Sequence, residues 1–131
     1  MEQREPSERY SALATQIIDD PLLDAVKNSQ VRIAYLESDW EKKSQGRPVL
    51  GQCEKVPDRF RWSVPYDFTI TIFQPNVEHL NDKQLKILLL HELMHVGIEV
   101  DGNEEKYHVV PHDVEDFYTI LDRYGMRWAD E

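Results

Sequence analysis

Apolar residues recur along "SERYSALATQIIDDP" at Tyr10, Leu13, Ala14, Ile17 and Ile18, the i, i+3, i+4, i+7, i+8 stripe of a helix lying on a core. Asp20 is placed to cap a second short helix that opens with Pro21, where a missing N–H costs nothing, and Leu22, Leu23 and Val26 are expected to pack inward. The period then changes. "VRIAYLE" reads as a strand, and "WEKKSQGRPV", charged and carrying Gly46 and Pro48, as a loop. "VLGQCEKV" is strand-like but interrupted by Gly51. In "YDFTITIF", Phe68, Ile70 and Ile72 alternate with Asp67, Thr69 and Thr71, which predicts a half-buried strand. Pro57 and Pro65 bound the segment between these two.

Pro75 should end the last of these strands, and Asn81 followed by Gln84 has the form of a capping box. The helix it opens is expected from about Asp82 through Val96, stopping near Gly97. A polar turn, "VDGNEEK", and a short extended "YHVV" follow. Pro111 then opens a last helix with Val114, Phe117, Tyr118 and Leu121 on one face and Gly125 at its end. These elements predict an α+β domain over residues 1–131: an N-terminal helix, a small mixed β-sheet, a central helix behind it and a C-terminal helix.

The central helix carries the chemistry. Leu85, Ile87, Leu88, Leu89, Leu90, Leu93, Met94 and Val96 are apolar almost all the way round, so it belongs inside the domain. Yet "LLLHELMHVG" sets His91, Glu92 and His95 in that run, and burying such groups costs several kcal/mol unless something compensates. A metal ion compensates. Residues four apart share a helix face, so both histidines can direct a ring nitrogen at one cation about 2 Å away. Glu92, one step round, is placed to take a proton from a water at that cation, the role that gives the H-E-x-x-H spacing its meaning. Such a motif also arises by chance in long chains, and buried histidines are often only hydrogen-bonded core residues. Its position mid-helix among apolar neighbours favours the metal.

A catalytic zinc usually keeps three protein ligands and one open position. Metzincin spacing would require glycine at position 98 and a ligand at 101; the chain has Ile98 and Asp101. Downstream, "YHVVPHDVEDF" offers His108, His112, Glu115 and Asp116. His112, just ahead of the expected helix, is free to turn inward. Asp113 or Asp116 can accept the second N–H of a ligand histidine, and Tyr107, His108 or Tyr118 can face an oxyanion, although core packing explains each as readily.

Composition narrows the partners. Fifteen Lys and Arg stand against 25 Asp and Glu, a net charge of -10 over 131 residues, which argues against a nucleic-acid backbone or an anionic membrane as the main partner. Cys53 is the only cysteine, so no internal disulfide and no four-cysteine zinc site can form, in keeping with a reducing cytoplasm. The longest apolar run is "ILLL", and "MEQREPSERY" lacks signal-peptide character. Trp40, Trp62 and Trp128 follow no common period and suggest no base-stacking platform.

"LLLHELMHVG" joined to "VVPHDVEDFYTILDRYG", and preceded by "YDFTITI", resembles the phage metallopeptidase family over roughly residues 30 to 125. These are zincin-like proteins of phages and prophages, inferred to be zinc peptidases. The resemblance implies zinc (Zn2+) as cofactor, His91 and His95 as ligands, His112 as the third ligand, Glu92 as catalytic base, a peptide or protein substrate, and a bacterial host cytoplasm as location. His108, Glu115, Asp116 and Asp101 stay open as third ligands on ligand chemistry alone. Two other functions fit the residues: a non-catalytic module with a closed four-ligand zinc, and an SprT-like DNA-associated protease using the basic stretches "EKKSQGRPV" and "KVPDRFRW". From Glu99 onward ten acidic residues face three basic ones, which would favour neutral or basic peptides.

Overall fold

The computed structural model describes residues 2–60 and 62–111. After the short strand β1 (Arg4–Pro6), Ser7 caps helix α1 (Glu8–Ile17) by accepting the Tyr10 N–H, and Tyr10, Leu13, Ala14 and Ile17 are buried. Asp20 caps a 3-10 turn over Pro21–Leu23 by accepting the Leu22 N–H, and α2 (Asp24–Lys27) follows directly. Leu23 and Val26 are buried as expected, but Leu22 is 46% exposed, because a 3-10 turn points adjacent side chains to different sides.

Strand β2 (Ile33–Ser38) leads into the charged segment. That segment is not a plain loop: it holds a miniature ribbon of β3 (Lys43–Ser44) and β4 (Arg47–Pro48), closed by Gln45 and Gly46, both at positive φ. Two such residues give the turn that matches the twist of paired strands, and Gly46 takes that conformation without strain. Strand β5 (Gly51–Lys55) begins at the glycine that interrupts the pattern, and β6 (Phe68–Phe73) completes a four-stranded sheet in the order β1-β2-β6-β5. The sheet is mixed: β2 and β6 are parallel, while β1 and β5 pair antiparallel to their neighbours.

The expectation for β6 is corrected. It is a central strand buried on both faces, with Thr71 as well sealed as Ile70 and Ile72. Phe68, Ile70 and Ile72 face the helices. The opposite face is covered by side chains rather than by a layer: Arg4 donates to Thr71 Oγ1, Trp40 sets an edge against Phe73, and Lys42 lies over the same ring. Alternation of threonine with isoleucine could not reveal that cover.

Pro75 does not simply stop the chain; it lies in the first turn of α3 (Gln74–Val77). Helix α4 (Asp82–Leu93) opens with a complete capping box, Asn81 accepting the Gln84 N–H and Gln84 accepting the Asn81 N–H, both at 2.9 Å. It packs between α1 and β5 and buries Leu85, Ile87, Leu88, Leu89, Leu90 and Leu93. It ends earlier than periodicity suggests. Met94 is its C-cap, the His95 N–H tightens back onto the Glu92 carbonyl at 3.1 Å, and the chain at once becomes strand β7 (Val96–Asp101).

The polar "turn" after the helix is therefore the tip of a second ribbon. Gly102, at φ +65, helps reverse the chain into β8 (Glu104–Val109), which pairs with β7 from Asp101↔Glu104 to Val96↔Val109. Val96, Ile98 and Tyr107 pack with Phe68, Ile33 and Cys53, closing the core below the end of α4. The architecture is α+β with a small mixed sheet and a central helix, as the patterning predicts. The C-terminal helix expected after Pro111 lies outside the described residues.

Candidate metal centre

The end of α4 points toward the ribbon and the end strand β5, bringing His91 and Glu92 from the last turn and His95 from just past the C-cap to one place. Donor atoms of His91, Glu92 and His95 all lie within 4.8 Å of one another, the only such grouping among the described residues. The two imidazole rings stand nearly perpendicular, with centroids 5.1 Å apart. His91 Nε2 is 4.0 Å from Glu92 Oε1, too far for a hydrogen bond and close enough to share a small cation or a water.

His95 owes its orientation to the helix ending before it. Freed from the helix, its Nδ1 lies 2.7 Å from the carbonyl oxygen of Val110, and the Val110 N–H returns a 2.7 Å bond to the His95 carbonyl. A carbonyl can only accept, so Nδ1 carries the proton and Nε2 of the neutral ring keeps its lone pair for a cation. Val110 was not among the residues singled out in the sequence. Only the β7–β8 register brings it back to His95, across fifteen positions.

Glu92 is 4% exposed, and its Oε2 atom has no hydrogen-bond partner among the described residues. Burial pushes its carboxyl up to about 8. Its aliphatic stem lies over β5, where a Cβ built on Gly51 would stand 3.3 Å from Glu92 Cγ and 3.2 Å from Ile72 Cδ1. An orphaned, buried carboxyl oxygen beside two imidazoles is a grouping whose burial a divalent cation relieves.

The other candidates separate. His108 is exposed on β8, its ring lying on Gly97, and Asp101 forms a 3.2 Å ion pair with Lys106 at the far end of the ribbon. Neither joins the group. Tyr107 donates to Glu105 at 2.7 Å and sets its ring edge-on to Phe68, which makes it a packing residue. Cys53 is half-buried between the two halves of the core, and burial pushes its thiol up to about 12, as befits a small hydrophobe. His112, Asp113, Glu115, Asp116 and Tyr118 lie outside the described residues. No described helix is long and apolar enough to cross a membrane.

Residues 2–131 match the family model described as "Putative phage metallopeptidase". No curated protein and no solved structure matches the chain.

Proposed function

From the chain's membership of the phage metallopeptidase family, which implies a metal ion and peptide or protein substrates, we propose that it is a zinc-dependent peptidase folded as one zincin-like domain over residues 1–131. His91 and His95 are the ligands from the end of α4, and Glu92 is the general base. The observation that carries this reading is the convergence of these three side chains, with Glu92 buried and one of its oxygens unengaged by any described residue.

His112 is the third ligand. Val110 is tied to His95 by two hydrogen bonds, and His112 follows two positions later in the sequence. His108 and Asp101, by contrast, stand outside the group that His91, Glu92 and His95 form. When bound, zinc supplies Lewis acidity to the scissile carbonyl and to a water. Glu92 takes the proton of the attacking water and later returns it to the leaving amine. The Val110 carbonyl holds the His95 ring in one tautomer throughout.

The substrate is held as an extended strand along β5. This strand ends the sheet, its free edge pairs with no described strand, and its first residue lies under Glu92. Reaction takes place in the host bacterial cytoplasm, without a membrane.

The test is a pair of measurements on purified protein: metal content and hydrolysis of a mixed peptide library. Wild type should carry one zinc and cleave, whereas Glu92→Gln should keep the zinc and lose cleavage. Full cleavage by Glu92→Gln would reject the mechanism, and a wild type that binds no zinc would reject the site.

A further inference from the structure

Gly51 is the first residue of β5, it pairs with Ile72, and it faces the helix layer. Its φ is not in the positive region, so nothing in the backbone requires glycine there. The requirement comes from above. A methyl group at this position would meet Glu92 Cγ at 3.3 Å, Glu92 Cδ at 3.4 Å and Ile72 Cδ1 at 3.2 Å. The missing side chain of Gly51 thus leaves the slot in which the Glu92 stem lies, with β6 closing one side.

We propose that Gly51 is a positioning residue: its bare Cα sets the height of the Glu92 carboxylate above β5, and so its place relative to His91 and His95. This rests on Glu92 being the general base. Three features carry it. Glu92 sits in the last turn of a helix whose Leu85, Ile87, Leu88, Leu89, Leu90 and Leu93 are locked in the core, so the helix resists retreat as a body. No described residue holds Oε2, so packing of the stem, not a hydrogen bond at that oxygen, fixes the carboxylate. The nearest contact, the Cδ1 tip of Ile72, belongs to a fully buried side chain with no room to move, so a new methyl group would displace the Glu92 stem instead.

A shift of a few tenths of an ångström at a proton-transfer group lowers kcat without changing how peptide or metal binds. Gly51→Ala should lower kcat about tenfold, and Gly51→Val further, while KM and zinc stoichiometry stay at wild-type values. In a Glu92→Gln background, Gly51→Ala should leave the residual rate unchanged, because no carboxylate remains to misplace. The Glu92 side-chain carboxyl 13C resonance should move in Gly51→Ala whether or not zinc is present. That readout stands even for a protein that cleaves nothing, so failure of the peptidase reading and failure of this one are distinguishable.

An unchanged kcat and an unmoved Glu92 resonance in Gly51→Ala would overturn the proposal. So would a fall in rate that follows loss of zinc, or one that persists in the Glu92→Gln background. Should Gly51→Ala fold poorly, adding Ile72→Val deletes the Cδ1 atom on the strand side, and the same readouts apply to the double variant.

Discussion

His95 and Val110 hold each other twice, ring to carbonyl and amide to carbonyl, both at 2.7 Å. The β7–β8 ribbon is therefore the device that orients His95, the ligand proposed above, as well as a cover for the lower core. Val110→Pro removes the amide half of this clasp. It should cost about 1 kcal/mol in urea unfolding and weaken zinc binding roughly tenfold in a chelator competition titration. Unaltered zinc affinity would mean the ribbon only covers the core.

Metal should stabilise the fold, because a ligand that binds only the native state shifts unfolding by mass action. Zinc at 100 times its dissociation constant should add about 2.7 kcal/mol. Thermal scans with zinc and with chelator measure it, and His91→Ala/His95→Ala should show no zinc-dependent rise.

Glu92 is retained at a cost to the metal-free protein. Glu92→Met keeps the length and apolar stem while deleting a buried carboxyl with an unengaged oxygen. Metal-free Glu92→Met should be more stable than metal-free wild type by about 1–2 kcal/mol in denaturant, with hydrolysis abolished. Equal or lower stability would show that the carboxyl is well accommodated without metal.

Alkali should unfold the protein earlier than its surface charge suggests. Burial pushes the Tyr10 and Tyr35 phenols and the Cys53 thiol each up to about 12, from ordinary values of 10.0, 10.0 and 9.0. These groups are neutral when protonated, and the native state holds their protons more tightly than the unfolded chain. Their contribution is complete below about pH 9 and is lost as pH rises toward about 12. In Glu92→Met, which removes the buried carboxyl that burial pushes up to about 8, the urea midpoint should be flat from about pH 6 to about pH 8.5 and fall above it, less steeply when Tyr35→Phe is added. A midpoint that holds to pH 11 would contradict this.

Much of the site is legible in the residue order because its cause is local. Asp20 and Asn81 find their amide partners within three positions, the α1 stripe needs only the helical period, and His91, Glu92 and His95 come together along one turn of chain. The α+β class follows from the same short-range periods. Other features depend on partners many positions away, and no window along the chain contains them: the burial of Thr71 beneath Arg4, the early end of α4, the ribbon that carries Val110 back to His95, and the bare Gly51 under Glu92. Local propensity chose the elements and placed the chemistry on one of them. Packing between distant strands decided where the helix stops, which ring nitrogen is left for a cation and how deep the carboxylate sits, because close contact is a property of neighbours in space.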